Sequence, residues 1–166
     1  MVSETEIVMT HAELVLRAEN WLKQQGCGIV FRDEFRAVTY NHEQPDAIGW
    51  RNHLSLLIEC KASRADFLAE RNKPFRLTPN EGMGDWRFYL CPPDMITVGD
   101  LPEGWGLLYA FKHQVKKIHG FPPNLNWRAK QPFNGAKQYE LQMMYSALRR
   151  MVRRGHFDSI YEKIDD

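Results

Sequence analysis

Apolar positions along this chain alternate between a helical and a strand period, and the alternation predicts the order of elements. Leu14, Ala18, Trp21, Leu22 and Gln25 fall on one stripe at helical spacing. Thr10-His11-Ala12-Glu13 has the T-x-x-E form of a capping box, so a helix is expected from Thr10 to about Gln25, stopped by Gly26 and Gly28. Strands are expected at Ile29 to Arg32 and at Phe35 to Tyr40, joined tightly at Asp33-Glu34. A turn over Asn41 to Gln44 leads to a strand at Ala47 to Trp50. Arg51-Asn52-His53 then connects to the run Leu54, Leu56, Leu57, Ile58, which suits a strand buried on both faces and ending at Lys61. Ser63 to Asp66 caps a helix to about Asn72, ended by Pro74, with Phe67 and Leu68 as core contacts.

Beyond a Gly-containing loop over Pro79 to Asp85, strands are expected at Trp86 to Cys91 and Gly106 to Phe111. Val115 to Ile118 would extend the sheet at an edge, where its lysines discourage aggregation. Gly120 to Gln138 is a loop of 19 residues, long for a compact fold. The last helix, about Ala136 to Arg154, is expected to bury Leu141, Met144, Tyr145, Leu148 and Val152, with a loose acidic tail after Gly155. The order of helix, strands, helix, strands describes an α/β fold of the α+β kind. Helices flank a central mixed sheet, and a C-terminal helix follows. By length it is one domain, with a core over about 10–119.

Composition narrows the class. At 166 residues, 43% hydrophobic and 26% charged, the chain reads as an ordinary globular protein able to bury a core without staples. No apolar run approaches the roughly 18 residues of a membrane span, and the start M-V-S-E-T-E is too acidic for a secretory signal. A cytoplasmic location without membrane partners is therefore expected. Cys27, Cys60 and Cys91 are well separated, and none of the six histidines has metal-ligand spacing to another His or Cys. That excludes a disulfide framework and a zinc finger. Net charge is only +1, but Lys112 to Lys137 carries six basic residues and no acid, and Lys61 to Arg76 carries five against two acids. Local basic stretches of this kind suit phosphate. Solvated surfaces have the same composition.

Candidate chemistry centres on Pro45 to Lys61. Asp46 follows a proline, and Glu59 stands thirteen positions later at the end of the apolar strand, with Cys60 and Lys61 behind it. Strand parity puts Glu59 and Lys61 on one face and Cys60 on the other. Charges at the end of a buried strand are costly unless paired or used, and a salt pair at a fraying strand end is the plain alternative.

Pro45-Asp46, the spacer, and Glu59-Cys60-Lys61 resemble the PD-(D/E)XK nuclease superfamily, and the stretch over about 10–110 resembles small phage and bacterial nuclease-like proteins. The resemblance implies a restriction-endonuclease-like core and a Mg²⁺-dependent endonuclease acting on DNA, with RNA open and Mn²⁺ able to substitute. It implies Asp46, Glu59 and the Cys60 backbone carbonyl as metal ligands and Lys61 as the residue beside the attacking water. Superfamily members often add a Glu from the first helix, for which Glu13 stands first and Glu19 second; Glu13 already has a complete role as a cap. Arg64, Arg71, Lys73 and Arg76 are candidates for the phosphate backbone. Trp127, Arg128 and Lys130 are candidates to stack on an unpaired base and hold a phosphate. Structure-selective cutting, and a homodimer to cut both strands of a duplex, are further expectations by analogy. The alternative is a catalytically silent module on the same fold that binds nucleic acid or a host protein.

Overall fold

The computed structural model describes residues 8–165. Most of the lead before Thr10, and Asp166, lie outside them. One six-stranded sheet forms the middle layer, with the strands in chain order: β1 (Ile29–Arg32), β2 (Ala47–Arg51), β3 (Leu54–Cys60), β4 (Trp86–Cys91), β5 (Gly106–Ala110) and β6 (Val115–His119). β1, β2 and β3 pair antiparallel, β3, β4 and β5 pair parallel, and β6 returns antiparallel, so the sheet is mixed. Short turns join β2 to β3, with Asn52 at φ 56°, and β5 to β6, while residues 33–46 link β1 to β2. The parallel step from β3 to β4 requires a crossover, supplied by helices α2 (Arg64–Glu70) and α3 (Pro74–Leu77).

Helix α1 (His11–Gln24) covers one face of the sheet. Its Leu14, Val15, Ala18, Trp21 and Leu22 pack on Leu56, Ile58, Phe88 and Leu90, all buried. The capping box at Thr10 and Glu13 is formed as expected. On the other face Ile48, Leu57, Tyr89 and Leu107 meet Phe67 of α2, Met83, Trp105 and Met143 of helix α4 (Lys137–Arg153). All three cysteines are free and buried; burial pushes the Cys27 and Cys91 thiols up to about 12, and that of Cys60 well above its ordinary value.

Two expectations are corrected. Phe35 to Tyr40 is not a strand. Its alternating burial, with Ala37 and Thr39 in and Arg36, Val38 and Tyr40 out, belongs to an extended loop whose backbone bonds to side chains instead. The Tyr40 amide donates to Gln142, while Gln44 and Arg150 donate to the carbonyls of Ala37 and Arg36. The long loop over 120–138 packs onto the sheet: Phe121 and Trp127 join Trp21 and Phe88 in the core, and Phe133 lies over the Arg87 guanidinium at 3.9 Å.

The apolar stripe of α4 is the second correction. Leu141, Tyr145, Leu148 and Val152 are 67, 64, 49 and 41% exposed, and the helix is held by Glu140 and Met143. Glu140 accepts from Trp50 Nε1, Ser55 Oγ and the Gly84 amide, and Lys137 bridges Glu140 and Asp85. This buried polar clamp sets the rotation of the helix and leaves the apolar stripe turned outward. The tail is not wholly loose either, since Phe157–Tyr161 form a short 3-10 helix.

Candidate active site

The β2–β3 register pairs Ala47 with Ile58, and one step further places Asp46 across from Glu59. Asp46 Oδ2 accepts from the Cys60 amide at 2.8 Å, which pins the carboxylate against the end of β3. Glu59 projects from the sheet face that carries Leu57 and Tyr89, while the Cys60 thiol enters the core under α1. Lys61 shares the face of Glu59, its Nζ 3.7 Å from Glu59 Oε2. The expected trio is brought together at the ends of two paired strands.

A buried ion cluster surrounds it. Lys61 Nζ lies 2.8 Å from Glu70 Oε2, and Arg76 Nη2 lies 3.2 Å from Glu59 Oε1. Lys73 reaches the other Glu70 oxygen at 2.9 Å, and Arg76 Nη1 lies 3.4 Å from Glu43, which accepts the Met83 amide. The carboxylates Glu43, Asp46, Glu59 and Glu70 are thus interleaved with the cations Lys61, Lys73 and Arg76, and Arg87 also acts on Glu43. Glu59 is pressed by two carboxylate neighbours, Glu70 and Asp46, and a proton or a further cation would relieve that repulsion.

The titration of the groups follows. Burial raises Glu59 well above the ordinary carboxyl range, and neighbouring Glu70 and Asp46 push the same way against Arg76 and Lys61. Burial also raises Asp46, against the Cys60 amide and His11. For Lys61 burial favours the neutral amine, but Glu59 and Glu70 outweigh it and hold the ammonium above its usual value. For Glu70, burial is outweighed by Arg76 and Lys61, and the carboxyl is held low.

Helix α1 supplies a residue other than the expected one. Glu13 stays exposed, its carboxylate accepting from the Thr10 amide and hydroxyl, and Glu19 pairs with Lys23 and Arg32. His11, the first residue of the helix, instead puts Nε2 3.3 Å from Asp46 Oδ1 and 3.3 Å from Asp33 Oδ2. One donor atom from each of His11, Asp33 and Asp46 lies within 4.8 Å of the others. A nitrogen and carboxylate oxygens at the mouth of a carboxylate-rich cluster form a donor set suited to Mn²⁺ or a related divalent cation, and the oxygens alone suit Mg²⁺. No His-to-His spacing points to this arrangement. The only sequence signal is the position of His11 directly after the cap.

The expected phosphate contacts fare unevenly. Arg64 is committed to Asp100 through two contacts of 2.9 and 3.0 Å, and Arg76 is buried in the ion cluster, so neither presents a free guanidinium. Arg71 donates to the Asp100 carbonyl and sits 5.2 Å over the Phe67 ring, and Lys73 holds Glu70; both remain at the surface. Trp127 is 2% exposed among Trp21, Trp86 and Phe88, and cannot stack on a base. Arg128 and Lys130 are exposed. Among the described residues, no helix is long and apolar enough to cross a membrane. Comparison with protein-family models, curated proteins and solved structures finds no match to this chain.

Proposed function

We propose that this chain is a divalent-metal-dependent nuclease of the PD-(D/E)XK kind, cutting phosphodiester bonds in DNA. The observation that carries the reading is the convergence of Asp46, Glu59 and Lys61 at the ends of paired strands. The order of helix, antiparallel β1–β3, helices, then parallel β4 and β5 agrees with the restriction-endonuclease-like core expected of such an enzyme.

Asp46 and Glu59 would hold the ion, with the Cys60 carbonyl as a further oxygen and His11 as a nitrogen ligand. A bound divalent cation supplies a hydroxide-like water near neutral pH and takes up charge on the phosphate. In the metal-free protein Glu59 and Glu70 hold Lys61 toward its ammonium form against burial. Its role is to donate to the attacking water or a phosphate oxygen and to offset charge as the transition state forms. Glu70 fixes the ammonium in place.

A second reading has its own observation. Glu59 and Lys61 already have partners in Arg76 and Glu70, as in a purely structural network on a catalytically silent binding module. A labelled panel of single strand, duplex, flap and four-way junction, incubated with Mg²⁺ or Mn²⁺ against EDTA, separates the two. The nuclease reading expects metal-dependent cleavage that is lost in Glu59→Gln and Lys61→Ala. Cleavage undiminished in Lys61→Ala, or none with any substrate and no metal binding, rejects it.

A further inference from the structure

A groove of about 670 Å³ runs between helix α4 and the loop that joins Asp33 to Asp46. We propose that it seats a single strand of nucleic acid. The loop wall is built from Arg36, Val38 and Tyr40, and the helix wall from Tyr145, Arg149 and Arg153. No carboxylate lines it, and among the described residues Arg36, Arg149 and Arg153 have no ion-pair partner.

The groove is held open by its own chemistry. The Tyr40 amide donates to Gln142 Oε1 at 3.0 Å near one end. At the other, Arg150 donates to the Arg36 carbonyl and lies 4.5 Å over the Phe35 ring. Gln142 and Arg150 are separated by about 12 Å along the helix at 1.5 Å per residue. Walls fixed at two points present their side chains without a further ordering cost on binding.

The exposed side chains discriminate among anionic ligands. Val38, Tyr40 and Tyr145 are 90, 83 and 64% exposed beside the guanidiniums. A duplex turns its phosphates outward and its base faces inward, so it would satisfy the arginines and leave both tyrosines without a partner. A single strand offers phosphates and unstacked base faces together, matching arginine and tyrosine in one groove. Basic residues at the C-terminal end of α4 complement the helix dipole, which accounts for the arginines but not for the loop residues facing them.

The loop that forms one wall continues to Asp46, six residues after Tyr40, so the groove and the proposed site are joined by one segment of chain. That consequence rests on the nuclease reading; binding in the groove does not. The test is fluorescence anisotropy of a labelled oligothymidylate and of a blunt duplex of equal length, both in EDTA. The expected result is preference for the single strand, with affinity about tenfold weaker in Tyr40→Ala/Tyr145→Ala. The expected result for Arg149→Gln/Arg153→Gln is weaker binding with a shallower salt dependence. Equal affinity for the duplex, or wild-type affinity in both double variants, overturns the proposal. Displacement of the strand by polyglutamate at equal concentration reassigns the groove to an acidic protein partner. Because metal is absent throughout, binding is read apart from cleavage, and a failure here leaves the cleavage result standing.

Discussion

His11 Nε2 lies 3.3 Å from Asp46 Oδ1, so the first residue of helix α1 meets the carboxylate that precedes strand β2. An imidazole raises affinity for Mn²⁺ more than for Mg²⁺, which prefers oxygen and retained water. His11→Ala is expected to weaken Mn²⁺ binding by roughly tenfold or more and Mg²⁺ binding by less. Calorimetric titration with each ion measures both. An unchanged Mn²⁺ isotherm removes His11 from the ligand set.

Metal and proton compete for the same pair of carboxylates. Burial, then Glu70 and Asp46, raise Glu59, so the folded chain holds that proton at a pH where the unfolded chain has lost it. Its contribution to stability is complete below the ordinary carboxyl range and disappears as pH rises through the raised value. Metal-free protein is therefore expected to lose melting temperature as pH rises above the ordinary carboxyl range, and saturating Mn²⁺ to flatten that loss. Glu70 acts in the opposite sense: held low, it contributes above the ordinary range and is lost only in acid. Thermal melts across this range, in EDTA and in Mn²⁺, separate the two groups. Equal slopes under both conditions argue against a cation at Glu59.

Glu70 joins Glu59 in holding Lys61 toward its ammonium form. Glu70→Gln leaves Lys61, Lys73 and Arg76 facing an uncharged partner in a buried setting. Breaking one side of such a cluster costs roughly 3–5 kcal/mol. Denaturant unfolding measures the stability loss. In an active enzyme the alkaline limb of the pH–rate profile should also move to lower pH, because the ammonium has lost an anion. An alkaline limb that stays in place while stability falls would confine Glu70 to a structural role.

Met143 and Leu148 invert the ordinary expectation for helix α4. Met143→Ala opens a hole in the core cluster that also holds Trp50, Leu57 and Trp105 and is expected to cost roughly 2–5 kcal/mol, against about 0.5 kcal/mol or less for Leu148→Ala. Paired chemical melts decide it, and a larger cost at Leu148 would mean the helix is turned the other way.

That contrast shows where sequence reading succeeds and where it stops. Strand β4 is read residue for residue, because Trp86 to Cys91 is a buried run closed by Pro92-Pro93. Asp46, Glu59 and Lys61 are legible because strand parity and register are local rules. Periodicity gives α4 its extent, but the helix faces the sheet through Glu140, a charged residue whose partners Trp50, Ser55 and Gly84 are remote in the chain. His11, Asp33, Glu43 and Glu70 likewise acquire meaning only from distant neighbours. Phe35 to Tyr40 alternates like a strand because an extended loop clamped by side chains has the same in-and-out pattern.

The three cysteines give the fold built-in reporters of its own opening. Each is sealed in the core and held as the poorly nucleophilic thiol, so an alkylating reagent should modify the native protein slowly at every one. Cys27 lies just beyond α1, Cys60 beneath Asp46, and Cys91 at the end of β4 on the opposite face. Peptide-resolved labelling rates would therefore show whether the strand ends around Asp46 and Glu59 loosen separately from the rest of the sheet, and whether a bound cation closes them.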